Sequence, residues 1–171
     1  MTNDTFPSSS LDRMPLFRRW GFLALLLGLC FAVAAIGGAV TATSVGDWYH
    51  SLKRPAFTPP DWAFGPVWTT LYVLMGIAAW RAWGRCGFRL SSPILWLWLV
   101  QLALNLLWSF LYFGFREIGW AAIEIVVLWV AIAATIRAFA RYDKAAAWLM
   151  APYLAWVSLA TVLTIEIYRL N

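Results

Sequence analysis

Five long apolar runs constrain the fold of this chain more than any other feature. A helix that crosses the hydrocarbon core of a bilayer needs about 20 mostly apolar residues, with a range of about 17 to 25. Because a backbone in lipid cannot leave its N–H and C=O groups unpaired, each run should form a helix. The sequence therefore predicts an all-α integral membrane protein, a five-helix transmembrane bundle over residues 20–171, with spans at 20–45, 66–83, 94–115, 118–137 and 145–168.

Composition supports this class and argues against two others. The chain is 63% hydrophobic and 12% charged, whereas soluble domains carry about 25% charged residues. Its net charge of +5 does not indicate nucleic-acid binding, because the cations lie in the tail, the loops and the span ends rather than along one helix face. Two cysteines without a CxxC motif and a single histidine predict no disulfide, metal site or required cofactor.

The distribution of cations predicts an orientation. Residues 1–19 form a polar stretch that we expect to be a flexible cytoplasmic tail. The apolar run after Arg18 and Arg19 is longer than a signal-peptide core, so we expect it to be retained as a span. The tail and the second and fourth loops hold nine of the 13 cations, which places the N-terminus in the cytoplasm. Since the tail lacks an organelle-targeting pattern, we expect a bacterial cell membrane.

The first loop is unusual for a connection between spans. Residues 48–68, WYHSLKRPAFTPPDWAFGPVW, contain four prolines and three tryptophans. Proline fixes φ and restricts the residue before it, so the segment should fold as stiff turns, with Pro66 as the first residue of the second span. An aromatic belt at the lipid headgroups would explain the rings but not the prolines. We therefore expect a lid over an opening between helices, formed by Trp48, Pro59, Pro60 and Trp62.

The spans offer rings and amides beneath this loop. On the third span, aromatic and amide residues recur at spacings of three and four, which is one helical face: Trp98, Gln101, Asn105, Trp108 and Tyr112. Amides near mid-membrane must face the bundle interior, where they either bond to other helices or line a cavity. The other spans add Trp68 and Tyr72, Trp120 with Glu124 one turn deeper on the same face, and Trp156 with Ala160. Flat aromatic walls with a few amides are typical of a site for a large, planar, mostly apolar ligand.

These residues resemble a known family. The stretches WYHSLKRPAFTPPDWAFGPVWTTLYVLMG, QLALNLLWSFLYFG, GWA and PYLAWVSLAT are similar to the tryptophan-rich sensory protein and mitochondrial translocator protein family, also called peripheral benzodiazepine receptors. The resemblance implies a five-helix bundle, often a homodimer, whose first loop covers a pocket. It also implies binding of porphyrins such as protoporphyrin IX, haem-related tetrapyrroles, sterols and benzodiazepine-type ligands.

Carried over by motif, the resemblance assigns residues to the ligand and to the lid. It implies ligand contacts at Trp68, Tyr72, Gln101, Asn105, Trp108, Trp120, Trp156 and Ala160, and lid positions at Trp48, Pro59, Pro60 and Trp62. Some members promote light- and oxygen-dependent porphyrin breakdown through tryptophans that match Trp68 and Trp156. The sterol motif of animal members is not matched, because Ile165 stands at its tyrosine position, so we do not expect sterol recognition by that motif.

The sequence is compatible with three functions. The favoured one is a membrane receptor or translocator for tetrapyrroles with a sensory or regulatory role. An enzyme that degrades porphyrin by photo-oxidation is the second, although no acid–base dyad, nucleophile or metal cluster supports ordinary catalysis. The third is a proton- or ion-coupled transporter that uses Glu124 and Glu166, the only acids within the predicted spans.

Overall fold

The computed structural model describes residues 15–44 and 46–171 of the chain. Most of the predicted tail, residues 1–14, lies outside the described residues, while residues 16–19 already belong to the first helix. Within these residues six α-helices follow one another, and a π-helical turn, Phe110–Gly114, continues the fourth. They are α1 Leu16–Ala42, α2 Asp47–Ser51, α3 Asp61–Arg85, α4 Pro93–Ser109, α5 Ile118–Ala140 and α6 Lys144–Leu170.

Five of the described helices are long and apolar enough to cross a membrane, which confirms the predicted five-helix bundle. The most extensive packing is between α1 and α3, α3 and α6, α4 and α5, and α5 and α6, and α4 also contacts α1 and α3. We call the end of the bundle that carries α2 the lid end and the other the tail end. At the tail end, the Trp80 indole Nε1 donates to the Arg19 carbonyl oxygen at 2.9 Å, which joins the start of α1 to the end of α3.

The second span begins earlier than predicted. The prediction that Pro66 opens this helix is wrong, because α3 starts at Asp61 and Pro66 lies inside it. Pro60 has an extended backbone before the helix, and the Asp61 carboxylate suits the positive end of the helix dipole. Pro66 then lies in the second turn, where its missing N–H removes a single hydrogen bond. The proline-rich stiff segment is therefore shorter than residues 48–68.

The core is a continuous layer of large side chains between the five long helices. Trp98, Phe139 and Tyr153 are fully buried in it. Helices α1 and α3 approach closely at Gly76, where an added Cβ would lie 2.6 Å from the Leu27 Cδ2 atom. Without a hydrophobic driving force in lipid, small residues at such contacts allow the backbone approach that van der Waals packing needs.

Asp143 fastens the tail end of the bundle. Its Oδ1 accepts a hydrogen bond from the Ala146 N–H at 3.1 Å and so caps α6, while Oδ2 pairs with the Arg81 Nη2 at 3.0 Å. Burial raises the pKa of Asp143, but the Ala146 N–H and the Arg81 guanidinium outweigh burial and hold that pKa below its ordinary value. One carboxylate thereby joins α3 to the turn between α5 and α6.

The first loop folds back over the lid end. The Tyr49 side chain is buried, with its ring centroid 5.9 Å from that of Phe113. The Ser44 hydroxyl donates to the Phe113 carbonyl oxygen at 2.6 Å. Further along, the Asn171 side chain accepts from the Lys53 N–H at 3.0 Å and donates to the Lys53 carbonyl oxygen at 3.2 Å. The loop is thus bonded both to the end of α4 and to the residue that follows α6.

We expect Asp143→Ala to lower the thermal midpoint of the protein in detergent more than Asp143→Asn. Alanine removes both the helix cap, worth about 0.5–2 kcal/mol, and the ion pairs, whereas asparagine can still cap. Because the folded-state pKa of Asp143 is lowered, its contribution is present at neutral pH and is lost as the pH falls through that pKa, below about pH 4. The gap between the original protein and Asp143→Asn should therefore close in acid, and a gap independent of pH would contradict this assignment.

We expect Asn171→Ala to speed tryptic cleavage after Lys53. Losing two hydrogen bonds of about 1 kcal/mol each raises the population of the open loop by about tenfold or more, provided that opening and closing are fast relative to cleavage. Mass spectrometry of timed digests measures the rate. Cleavage after the exposed Arg141 in the turn beyond α5, which Asn171 does not contact, is the internal reference. Equal acceleration at both bonds would indicate general destabilisation instead of loop release.

Candidate functional site

The predicted face of α4 points into the bundle. Trp98 and Gln101 are fully buried, Asn105 and Tyr112 are nearly so, and Trp108 is half-buried. The alternation of three- and four-residue steps keeps these side chains along one line of an α-helix. The π-helical turn that ends α4 rotates the following residues, which brings Tyr112 and Phe113 against the first loop. Such turns often occur at functional sites.

A short hydrogen bond joins two of the predicted ligand residues. The Tyr72 hydroxyl donates to the Asn105 Oδ1 at 2.6 Å, so α3 and α4 are linked between two buried side chains. Trp68, one turn before Tyr72, has its ring centroid 5.5 Å from Tyr72 and 6.2 Å from Tyr153 on α6. Indole, two phenols and an amide thus meet where three helices pack together.

A second aromatic group lies closer to the lid end. Trp108 stacks on Tyr112 with a centroid distance of 5.0 Å and an interplanar angle of 24°. Trp48 of the first loop meets Tyr112 edge-on at 5.9 Å. The Arg116 guanidinium lies 5.6 Å from the centre of the Trp48 ring, a cation–π contact, and Arg116 has a positive φ of 61° in the turn before α5. The predicted lid residue Trp48 is therefore held by rings and a cation.

We call Trp68 of α3 together with Trp156 and Ala160 of α6 the wall of the site. Trp156 and Ala160 are both half-buried, and all three side chains pack against the main core. Phe64 of α3 meets Trp156 with a centroid distance of 5.7 Å. Of the other predicted lid residues, Pro59 is half-buried, Pro60 is exposed and Trp62 is 77% exposed. Phe64, which follows Trp62 by two residues and so leaves the helix in another direction, makes the ring contact with the wall.

The structure does not bring Trp120 into this set. Its side chain is 65% exposed, whereas Glu124, predicted on the same face, is 7% exposed. The buried stripe of α5 runs through Ala121, Glu124, Ile125 and Leu128, so Trp120 lies at the outer edge of that stripe. Residues four apart differ by about 40° around a helix, enough to separate a lipid-facing ring from an interior carboxyl.

Sequence reasoning missed Tyr153. This residue is fully buried and touches Trp68, and its hydroxyl has no hydrogen-bond partner among the described residues. The available signal was its spacing of three residues before Trp156, which places both rings on one helical face. Tyrosine in an apolar span is typical of an interfacial residue, so no local pattern indicated a buried hydroxyl.

Several buried polar atoms in the bundle have no hydrogen-bond partner in the part of the chain that the structure describes. On the α4 face these are the indole nitrogens of Trp98 and Trp108, the Gln101 Oε1 and the Tyr112 hydroxyl, and both Glu124 carboxyl oxygens and the Tyr153 hydroxyl join them from α5 and α6. Each such atom costs about 1–3 kcal/mol when left unpaired. A concentration of them along one face indicates a region that receives polar groups from elsewhere.

The two membrane acids have different surroundings. Glu166 pairs with Arg169 at 3.0 Å in an exposed position near the end of α6, as expected for an ion pair at the rim. Glu124 lies deeper and has no cation partner among the residues described. The structure therefore does not connect the two acids into the relay that a coupled transporter would need.

The described loop also forms a surface cavity of about 470 Å³ at the lid end, lined by Arg54, Pro55, Thr58, Pro59, Pro60 and Asp61. Asp61 contacts two neighbouring side chains there, with its Oδ2 3.2 Å from the His50 Nε2 and its Oδ1 3.6 Å from the Arg54 Nη1. The rigid prolines and these polar contacts fix the shape of the loop beside the start of α3.

Comparison with known proteins agrees with this architecture. Residues 26–169 match the model of the TspO/MBR family. The chain is 41% identical to the "Tryptophan-rich protein TspO" of Chlorobaculum tepidum over 87% of its own length and 95% of that protein. It is 37% identical to "Protein CrtK" of Rhodobacter capsulatus over 85% of its length and 92% of that protein. The human "Translocator protein" is 39% identical over 72% of this chain and 75% of its own. With its five long apolar helices and these similarities, the chain belongs to the TspO/MBR family of integral membrane proteins.

Proposed function

We propose that this protein is a membrane receptor of the translocator type that binds porphyrins and related tetrapyrroles between its helices, with a sensory or regulatory role in tetrapyrrole metabolism. The observation that carries the proposal is the interior face of α4, where aromatic rings flank two buried amides and several polar atoms have no partner among the described residues. A porphyrin presents a broad apolar face and a few polar groups at its edge, which is the complement of such a surface.

The charges at the lid end fit the same ligand class. Porphyrins such as protoporphyrin IX carry carboxylates on one edge only. The described residues place four cations at the lid end: Lys53 and Arg54 in the first loop, Arg116 before α5 and Arg169 in the last turn of α6. Arg54 lines the cavity of the loop and contacts Asp61, and Arg169 pairs with Glu166. We infer that the macrocycle enters with its apolar edge toward Trp68 and Trp156 and its carboxylates toward these cations.

The setting of this function is a bilayer, and bacterial relatives favour a bacterial cell membrane. We propose a homodimer with a cytoplasmic N-terminus, in which ligand occupancy at the lid end changes the position of the first loop. The contacts of Trp48 with Tyr112 and Arg116 give such a loop a defined closed position.

Substituting two wall tryptophans should weaken porphyrin binding. We expect the double variant Trp68→Phe/Trp156→Phe to raise the Kd for protoporphyrin IX by about tenfold in detergent, since each indole loses stacking area worth about 0.5–1.5 kcal/mol. The Soret absorbance measures binding independently of tryptophan content. The double variant Trp96→Phe/Trp148→Phe is the matched control, because these rings are 59% and 77% exposed and should leave the Kd unchanged.

Unaltered affinity in the folded wall variant would overturn the assignment of the pocket. The same samples, illuminated in air, test the photo-oxidative alternative. Trp68 lies against Tyr72 and Tyr153, side chains that can exchange electrons with an oxidised indole. Loss of more than one porphyrin per protein in the light, abolished in the wall variant, would make the protein an enzyme. Equal loss with and without protein would leave binding as the function.

A further inference from the structure

Arg54 lies between the cavity of the first loop and the buried rings of the lid end. Its side chain is 28% exposed and lines that cavity. Its guanidinium carbon lies 5.0 Å from the centre of the Tyr49 ring, and Tyr49 is buried against Tyr112 and Phe113. The guanidinium is therefore held at the boundary between an open space and the aromatic interior.

The other three cations of the lid end are placed differently. Lys53 is exposed and does not line the cavity. Arg116 lies against the Trp48 ring, and Arg169 is 69% exposed and pairs with an acid of its own helix at 3.0 Å. A half-buried arginine loses less side-chain freedom on binding an anion than an exposed cation does. Of the four, Arg54 is the best placed to bind a charged group of a ligand.

The contact between Arg54 and Asp61 leaves donors for a second carboxylate. The Arg54 Nη1 lies 3.6 Å from the Asp61 Oδ1, which is longer than a hydrogen bond. The other carboxylate oxygen of Asp61 lies closer to a different side chain, 3.2 Å from the His50 Nε2. A guanidinium has five N–H donors in a planar fork that fits both oxygens of one carboxylate. An incoming carboxylate can therefore take the place of Asp61 at Arg54, while Asp61 keeps its contact with His50.

The position of Asp61 on α3 relates the cavity to the wall of the site. Asp61 and Trp68 are seven residues apart on this helix. Seven residues make two turns, so the two side chains leave nearly the same face, about 10 Å apart along the axis. A tetrapyrrole has an apolar ring and flexible acidic side chains on one edge. Its ring can contact Trp68 while one of its acids reaches Arg54 beside Asp61.

We propose that Arg54 is a specificity-determining residue that binds a carboxylate of the ligand in the loop cavity, in exchange for Asp61. This inference rests on the proposed function and deepens it, because it names the ligand group that is selected and the residue that selects it. An uncharged ester of the same macrocycle keeps the ring contacts and loses this one. Asp61 occupies Arg54 and repels a second carboxylate, so it limits the affinity for an acid.

The test compares protoporphyrin IX with its dimethyl ester, in which both carboxylates are neutral. Soret titrations give the two Kd values, and the ratio of the ester Kd to the acid Kd is compared between each variant and the original protein. This comparison cancels the different partition of the two ligands into detergent. We expect Arg54→Gln to lower the ratio about tenfold through loss of a charge-assisted contact, with the ester Kd unchanged. Arg54→Lys, which keeps the charge without the fork, should lower it less.

Two further variants separate a specific contact from a general effect of charge. Asp61→Asn should raise the ratio about threefold, because the competing charge is removed. Lys53→Gln removes a positive charge from the residue next to Arg54. It should change the ratio by less than about twofold at 0.15 M salt, where exposed charges are screened over about 8 Å.

The outcomes distinguish this inference from the proposed function. A ratio that is unchanged in Arg54→Gln, an equal fall in Lys53→Gln, or a ratio in Asp61→Asn that is no higher than in the original protein would each overturn the inference. In all three cases the original protein still binds both ligands, so the proposed function stands. An original protein that binds neither the acid nor the ester would overturn the two together.

Discussion

The hydrogen bond between Tyr72 and Asn105 shows the constraint that governs this bundle. In lipid, a buried polar group has no water with which to form a hydrogen bond. Each such group therefore needs a hydrogen-bond partner from the protein or from a bound ligand. The 2.6 Å bond satisfies two such groups and ties α3 to α4. Around it, Trp68 and Tyr153 fill the space from neighbouring helices. This link holds the α4 face against α3.

The two ends of the bundle are held by different means. At the tail end, Asp143 caps α6 and pairs with Arg81, so a buried carboxylate is fully compensated. At the lid end, rings, a cation and the side chain of Asn171 hold the loop at an exposed surface. The second arrangement is easier to open, because its hydrogen bonds compete with water. A fixed tail end and a releasable lid end suit a protein that admits a ligand from one side.

Helix α5 shows most clearly how the proposed pocket differs from a simple core. Its inner stripe is apolar except for Glu124 and Thr135, and the Thr135 hydroxyl donates to the Ala131 carbonyl oxygen of its own helix. The surrounding helices supply further polar atoms that have no partner among the described residues. A core selected for stability alone would replace such a carboxyl with an apolar side chain. We therefore regard the unpaired atoms as the part of the interior that binding completes, and the fully bonded pair of Tyr72 and Asn105 as the part that supports it.

The sequence by itself determined the membrane class, the five helices and the interior face of α4, because span length and helical periodicity are local properties of the chain. It also indicated the family through its aromatic and proline motifs. Tertiary structure alone decided which rings face inward: Trp120 and Trp62 are exposed, while Tyr153 is buried. It likewise decided that Glu166 is paired, whereas Glu124 has no partner among the described residues. Burial depends on how neighbouring helices are rotated against one another, and residues at the edge of a helical stripe take either environment after a small rotation.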